Sequence, residues 1–207
     1  MTNPEVFKPR SGLIFAAIAF IACLIYTSQS FIYYSLASGI TSTLWSALLC
    51  TIAYLIFVRP RVIIFDEGIT IINPFNKVVV GWEEVVSVDV RYTMSIRIRN
   101  PIKALPWNRS ASETIFAFAA PAPGRYHART IHQSEIRGIG IDHSLALRPG
   151  DSPRTASGQV AALARIRLEQ FEKRGGQGTL GTRCEHNRSA MLALAIALLL
   201  ITIDGVL

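Results

Sequence analysis

The chain has 207 residues, of which half are hydrophobic, and its formal net charge is +7. Its mean hydropathy is positive, which favours a membrane protein with one modest extramembrane domain over a soluble globular protein. The basic residues lie beside the apolar segments and not in a stripe interleaved with aromatic residues, so the charge indicates an anionic membrane face and excludes nucleic acid as the expected partner. Three cysteines provide no disulfide framework, and we expect a reducing compartment for the polar domain.

Residues 11–58 form a long stretch without a charged side chain. One membrane span needs about 20 apolar residues, so this stretch is long enough for two spans and a short turn. Basic residues flank it on both sides, at Lys8, Arg10, Arg59 and Arg61.

Polar residues at 27–30 and 35–39 place the turn between the two spans. The sequence predicts one helix near residues 12–30 and another near 39–58. Residues 1–58 are therefore interpreted as an N-terminal segment followed by a transmembrane helical hairpin.

A secretory signal peptide is the competing interpretation of the first apolar segment, because its basic start and apolar core fit. Against it, no clear cleavage site follows, and a second apolar segment does. If the uncharged turn lies outside, all basic flanks lie in the cytoplasm, as the positive-inside rule requires. We therefore predict a multi-pass protein of the cell membrane whose polar domain faces the cytoplasm.

The stretch from Arg59 to Val90 predicts short antiparallel strands. Apolar, β-branched runs at 62–65, 69–72 and 77–80 are separated by turns. We expect Gly68, in the first turn, to take a positive φ angle, and Pro74 to end the second run because it cannot donate to a ladder.

Two further strands are predicted at residues 95–99, where polar and apolar residues alternate, and at 114–118. At least five strands thus fall within 59–118. Short strands joined by tight turns indicate an antiparallel meander and not a βαβ unit.

Residues 119–152 are interpreted as a long loop, in which 136–141 is a candidate short strand. Ser152 and Pro153 predict a helix start, as N-cap and first helical residue, for a helix over 153–174. Its apolar residues recur with helical spacing, and this face is expected to bury against the sheet. They are Val160, Leu163, Ala164, Leu168 and Phe171.

A glycine-rich linker is predicted at 175–188, followed by a C-terminal segment at 189–207. Its apolar run is slightly short for a span, but extension past Asp204 makes it adequate, with Asp204 at the far interface. We interpret it as a third transmembrane helix; a helix lying on the surface or packed on a partner is the alternative. The fold class is thus an α+β membrane protein, with the mixed domain at 59–174.

Four short motifs carry a resemblance to a known family. After the two spans come Arg-Pro-Arg-Val at 59–62, Asp-Glu-Gly at 66–68, Asn-Pro-Phe at 73–75 and Gly-Trp-Glu-Glu-Val at 81–85. With these motifs the chain resembles actinobacterial membrane proteins that carry a bacterial PH-like domain, and is similar to the low-molecular-weight protein antigen family. Residues 119–125 and 129–132 resemble its corynebacterial branch.

The resemblance covers residues 59–118 best and implies a PH-like fold. In that fold a strongly bent antiparallel sheet or barrel is closed by a C-terminal amphipathic helix, which agrees with the interpretation from the pattern alone. It implies no activity, and no functional residues transfer with it. PH domains that bind phosphoinositides have a basic first hairpin loop, whereas Asp66 and Glu67 make the matching loop acidic.

The sequence contains no motif that predicts a catalytic, cofactor-binding or metal-ligating residue. The histidines at 127, 132 and 143 lack helical pair spacing, and no paired CxxC occurs. The proximity of Cys184 and His186 in the sequence is interpreted as chance composition of a linker and not as a site. Trp82 is interpreted as a core residue. The chain is therefore not expected to be an enzyme.

One basic cluster is a candidate contact site for anionic lipid headgroups. It comprises Arg125, Arg129 and Arg137, with His127 and His132 nearby. Each basic residue near an anionic surface contributes about 1 kcal/mol. A solvated loop beside a basic membrane face is the alternative interpretation.

These observations favour a non-enzymatic, membrane-anchored PH-like module that binds a protein partner or anionic lipid at the cytoplasmic membrane face. The alternative is an accessory subunit of a membrane enzyme or transporter complex. The spans carry no buried ionisable residue of the kind that marks pumps and proton relays, which favours the first hypothesis.

Overall fold

The computed structural model describes residues 2–90, 93–103, 111–121 and 155–204. The chain divides into two compact units. The sheet unit comprises Met1–Pro9 and Arg61–His186, and the helical unit comprises Arg10–Pro60 and Asn187–Leu207. In the described residues the architecture is α+β, as predicted.

The described elements are, in chain order, β1 (Glu5–Phe7), α1 (Arg10–Tyr33), α2 (Leu36–Ala53), a π-helical turn (Tyr54–Val58), β2 (Arg61–Phe65), β3 (Gly68–Ile72), β4 (Asn76–Gly81), a 3₁₀ turn (Trp82–Glu84), β5 (Val85–Val90), β6 (Thr93–Ile102), β7 (Ser112–Pro121), α3 (Ala156–Lys173), β8 (Thr182–His186) and α4 (Arg188–Asp204).

The helical unit consists of α1, α2 and α4, with α2 in contact with both of the others. Two helical stretches, Ser11–Tyr33 and Leu36–Val58, are long and apolar enough to cross a membrane. Close approach at one point of α1 requires glycine, because a Cβ at Gly12 would lie 2.3 Å from the carbonyl oxygen of Phe57. The C-terminal segment is helical as predicted, but α4 has only 17 residues, and its role as a span stays a prediction.

The connection between α1 and α2 is shorter than predicted. Only Tyr34 and Ser35 separate the two helices, and the side chain of Ser35 caps α2 by accepting from the backbone N–H of Ser38. The polar residues at 27–30, predicted at the turn, lie inside α1 instead. Two of their hydroxyls bond within the unit: Thr27 Oγ1 lies 2.8 Å from Ser46 Oγ, and Ser30 Oγ donates to the carbonyl of Tyr26 at 3.0 Å. These bonds are compatible with the helix, which continues through the cluster.

The sheet unit contains two antiparallel sheets. The larger has the strand order β1-β2-β3-β4-β8 and the smaller β5-β6-β7. The predicted runs at 62–65, 69–72 and 77–80 lie in β2, β3 and β4, and those at 95–99 and 114–118 lie in β6 and β7. The core is formed by inward-facing residues of both sheets and of α3. Its fully buried strand residues include Ile64, Ile71, Val78, Ile96 and Ile115.

The prediction of a linker over 175–188 was wrong at its C-terminal end. Residues 182–186 form β8, in which Cys184 pairs with Val78 on β4. Cys184 is partly buried and packs against the core. This strand closes an otherwise open edge of β4, so its backbone donors and acceptors gain partners that the sequence pattern alone does not reveal.

Helix α3 lies where the apolar periodicity predicted it, but begins at a different residue. Thr155, and not Ser152, is the N-cap, because its Oγ1 accepts from the backbone N–H of Gly158 at 3.0 Å. Ser152, Pro153 and the candidate strand at 136–141 lie outside the described residues. Val160, Ala161 and Ala164 are buried in the core, and these small residues allow α3 to approach the alanines of β7 closely.

Gly68 does not adopt the positive φ angle expected of it. The described glycines with positive φ are Gly175, Gly176 and Gly181. Gly68 is required by close approach instead, because a Cβ there would lie 2.3 Å from the backbone oxygen of Val80 and 3.0 Å from Leu180 Cδ2.

Replacing Gly68 with alanine is therefore expected to lower the free energy of unfolding of the sheet unit by about 1–3 kcal/mol, the range for overpacking. Amide hydrogen exchange of the full chain in lipid nanodiscs would measure this through peptides from β3 and β4. A second substitution, Leu180→Ala, should not restore stability. Full rescue by it would show that the leucine, and not the Val80 carbonyl, sets the steric limit.

Candidate functional site

The hairpin turn between β2 and β3 corresponds to the acidic loop of the sequence, and its carboxylates have partners inside the sheet unit. Asp66 Oδ1 accepts from Arg167 Nη1 at 2.6 Å, and Asp66 Oδ2 accepts from Asn3 Nδ2 at 3.1 Å. Arg167 also donates through Nη2 to Glu5 Oε1 at 2.7 Å. One guanidinium thereby links α3 to the turn and to β1.

Glu67, the second acidic residue of this turn, is held by the N-terminal segment. Thr2 Oγ1 donates to Glu67 Oε1 at 2.6 Å and the Thr2 backbone N–H donates to Oε2 at 3.3 Å. The hydroxyl bond is the main cause that lowers the pKa of Glu67. The carboxylates of this turn are thus bonded to side-chain and backbone donors of the same unit. This agrees with the expectation that the turn does not bind an anionic headgroup.

Trp82 follows β4 and is a core residue, as predicted. It is 1% exposed, and its indole N–H donates to the carbonyl of Phe65 at 3.1 Å. The bond fixes the ring between the end of β2 and the 3₁₀ turn, which leaves no accessible face for a ligand.

One end of the five-stranded sheet carries every chain connection between the two units. Phe7 lies opposite Val62, Arg61 opposite Ile72, and His186 opposite Asn76. The end of β1, the start of β2 and the end of β8 therefore share one end of the sheet, which we call the exit end. From each of them only one or two residues lead to an apolar helical segment, namely α1, the π-helical turn that follows α2, and α4.

The outer face of β6 and β7 carries an inverted residue pattern. On β7 the small Ala117 and Ala119 face the core, whereas Phe116 and Phe118 are 57% and 52% exposed. On β6 the exposed Arg97 and Arg99 alternate with buried isoleucines. We call Phe116, Phe118, Arg97 and Arg99 the outer patch.

The backbone of the two phenylalanines in the outer patch is bonded to the side chain of a residue at the exit end. Asn73 lies in the turn between β3 and β4, at that end of the sheet. Its Nδ2 donates to the carbonyl of Phe116, and its Oδ1 accepts from the N–H of Phe118, both at 2.9 Å. These bonds occupy the free edge of β7, so that edge is not open for strand addition at this point.

The residues predicted from sequence to contact lipid, Arg125, Arg129 and Arg137, lie outside the described residues. So do His127 and His132. Sequence reasoning missed the outer patch, although one signal was present: two phenylalanines alternate with alanines in the predicted strand at 114–118. The alternation of residue types along a strand shows which residues share a face of the sheet, but not which of the two faces packs against the core.

Cys184 and His186 lie close together, with the sulfur 3.7 Å from Nδ1. Burial, with a contribution from Glu185, raises the pKa of the Cys184 thiol. The thiol is therefore kept in its less reactive, protonated form. Among residues 2–90, 93–103, 111–121 and 155–204, no group of three or more metal-ligating side chains occurs.

Comparison with known proteins gives one match. A family model described as a bacterial PH domain matches residues 59–119, the segment that runs from β2 into β7. The sheet unit contains a PH-like domain. No curated protein and no solved structure matches the chain.

The PH-like match supports the fold expected from the four motifs, and its bounds nearly coincide with the predicted strand region at 59–118. It covers less than half of the chain and describes neither helical segment. Closure of the sheets into a barrel, and the resemblance to the actinobacterial antigen family in particular, stay predictions.

Proposed function

We propose that this chain is a non-enzymatic PH-like module, anchored in the cell membrane, that binds anionic lipid or a protein partner at the cytoplasmic face. The observation that carries the proposal is the exit end. All three connections of the sheet unit leave from one end of one sheet and lead within one or two residues into apolar helices. A domain attached in this way is restricted to the layer next to the membrane.

Multi-pass insertion and the cytoplasmic orientation belong to this proposal. Two helices of sufficient length and hydropathy support insertion, and basic residues beside each connection favour the cytoplasmic side. Those residues are Lys8, Arg10, Arg59, Arg61 and Arg188. The α4 helix is proposed as the third span, with Asp204 at the far interface.

The alternative, an accessory subunit of a membrane enzyme or transporter complex, would use polar groups of the helical unit to bind other membrane chains. Asp204 accepts from Thr41 Oγ1 at 2.6 Å, and Thr27 bonds Ser46. Because these groups bond one another within the chain, they favour a self-contained anchor. Affinity capture from detergent-solubilised membranes separates the two functions, since a subunit would retain one stoichiometric membrane partner.

The orientation leads to a prediction for cysteine labelling. In full-length protein with Cys23, Cys50 and Cys184 replaced by alanine, Tyr34→Cys should react with a membrane-impermeant maleimide on intact cells. Tyr34 lies between α1 and α2 and is 73% exposed.

The matched variant in the same background is Glu113→Cys on β7, where the residue is exposed. It should react only after the membrane is permeabilised. Labelling of the β7 cysteine on intact cells, with protection of the one between the helices, would place the PH-like domain outside and refute the proposed location.

A further inference from the structure

Starting from the proposed function, we propose that the outer patch is the surface by which the PH-like domain rests on the anionic bilayer, with Phe116 and Phe118 in the interfacial layer and Arg97 and Arg99 against lipid phosphates. This assigns a lipid-contact site different from the basic cluster at 125–137. It also names which of the proposed ligands the domain binds, namely the membrane surface in which the chain is anchored.

The first argument is the inverted pattern of β7. A sheet that faces water on its outer side normally places polar residues there. Here Ala117 and Ala119 face inward, next to Ile115, whereas Phe116 and Phe118 face outward. Within the described part of the sheet unit, these are the only aromatic side chains that are exposed. Adjacent exposed apolar side chains of this size indicate a surface that is covered in use.

The second argument is the charge beside the phenylalanines. Phe116 lies opposite Ser95, and Arg97 lies opposite Thr114, so Arg97 is the diagonal neighbour of Phe116 on the adjacent strand. Arg99 lies two residues farther along β6 and is also exposed. Among the described residues, neither Arg97 nor Arg99 forms an ion pair. The acidic residue on this face, Asp89 on β5, lies opposite Ser95 on the side away from β7, and its carboxylate accepts from Ser87. Aromatic rings next to arginines are the combination that amphipathic membrane-surface elements use.

The third argument is position. Asn73 holds the backbone of Phe116 and Phe118 against the turn at the exit end. The exit end continues into the apolar helices after one or two residues, each of which extends the chain by at most about 3.5 Å. If those helices are embedded, the exit end lies at the membrane surface, and the outer patch begins beside it. A bilayer is then the occupant always within reach, whereas a soluble partner has to diffuse to the site.

The probe is an environment-sensitive fluorophore on Phe118→Cys in the cysteine-free, full-length chain. The protein is reconstituted at one copy per nanodisc, in phosphatidylcholine alone or mixed with phosphatidylglycerol. We expect blue-shifted emission and quenching by lipids brominated on the acyl chain, both stronger with phosphatidylglycerol. The control is Ile166→Cys on α3, which packs on the inner face of the sheet. Ile166 is 48% exposed, and its label should keep solvent-like emission.

The charge requirement is tested by Arg97→Gln with Arg99→Gln in the labelled chain. Each arginine lost should weaken docking on the anionic disc by about fivefold, and emission should shift toward that of a solvated label. Arg174→Gln with Arg183→Gln removes the same charge from exposed residues outside the patch and should change the emission little.

Three outcomes would overturn the inference. Solvent-like, unquenched emission at position 118 in both lipids excludes membrane contact. Equal loss of docking in both arginine pairs shows a dependence on net charge and not on the patch. Shielding that occurs only when several copies share a vesicle identifies a second copy as the occupant. The labelling at Tyr34 and Glu113 reports anchoring and orientation independently, so a failure of the patch is distinguishable from a failure of the proposed function.

Discussion

Replacing Trp82 with alanine is expected to lower the free energy of unfolding of the sheet unit by about 3–5 kcal/mol, the range for a buried aromatic residue. The ring is fully enclosed in the core, so its removal leaves a cavity lined by both sheets. The substitution also leaves the carbonyl of Phe65 without its indole donor. A domain of this size is stable by about 5–15 kcal/mol, so the variant keeps little stability in reserve.

Amide hydrogen exchange of the full chain in nanodiscs measures this loss directly. Peptides from β2 to β4 should exchange faster by about two to three and a half orders of magnitude, since each 1.4 kcal/mol is a factor of ten. Trp45→Ala is the matched control, because Trp45 lies on α2 of the helical unit and is 47% exposed. It should leave exchange in the sheet unit unchanged.

Trp82→Phe separates the cavity from the hydrogen bond. It keeps a six-membered aromatic ring in the core and removes the donor together with a smaller volume than alanine does, so we expect a loss of about 1–3 kcal/mol. If the alanine variant exchanges like the natural chain, Trp82 does not hold the core and the buried position assigned to it is wrong. If the phenylalanine and alanine variants lose the same stability, the bond to Phe65 and not the packing is the dominant contribution.

The strands that sequence predicted well are those that carry their own signal. β2, β3 and β4 are β-branched runs separated by turn residues, and Pro74 ends the second of them. β2 pairs with β3 and β3 pairs with β4, so runs that are neighbours along the chain are also neighbours in the sheet. Local pattern and tertiary pairing therefore agree.

The strands that sequence did not predict depend on distant partners. β1 has three residues and pairs with β2 across the whole first helical hairpin. β8 follows a glycine-rich segment and pairs with β4. Neither contains a run long enough to indicate a strand, and their backbone groups are ordered because an open edge of the large sheet is available. The exit end, which depends on both, was for that reason not predictable.

The candidate site was predictable only in part for a related reason. The acidic character of the turn at Asp66 and Glu67 could be read directly, but not that Arg167, Thr2 and Asn3 occupy it. These partners come from opposite ends of the chain. Gly68 shows the same limit, because a turn glycine was expected to serve dihedral freedom, whereas here it serves close approach to Val80.

Replacing Arg167 with methionine is expected to lower the free energy of unfolding of the sheet unit by about 2–4 kcal/mol. Arg167 bonds Asp66 and Glu5 at once, and the side chains of Arg167 and Asp66 are only 17% and 14% exposed. Methionine keeps much of the apolar stem but leaves the carboxylate of Asp66 without its cation in a mostly desolvated position. Loss of one partner of a buried pair costs about 3–5 kcal/mol, which is reduced here because Glu5 remains exposed.

The matched control lies on the same helix. Lys173 pairs with Glu169 at 2.7 Å, with side chains 72% and 62% exposed, and Lys173→Met should cost at most about 0.5 kcal/mol. Hydrogen exchange in β2 and α3 measures both variants. Asp66→Asn in the Arg167→Met chain should recover part of the loss, because it removes the uncompensated charge, and the double-mutant cycle gives the coupling between the two residues.

The comparison decides how the helix is held on the sheets. If Arg167→Met costs no more than Lys173→Met, α3 is held without Arg167, by the apolar packing of Val160 and its neighbours and by the bonds from Arg165 to the carbonyl of Val88. The acidic turn then does not need the helix. If the large loss is found and Asp66→Asn offsets it, the turn's negative charge is committed to an internal cation. An anionic ligand at that turn would then have to displace Arg167 from Asp66, which makes the outer patch, on the three-stranded sheet, the more accessible surface for anionic lipid.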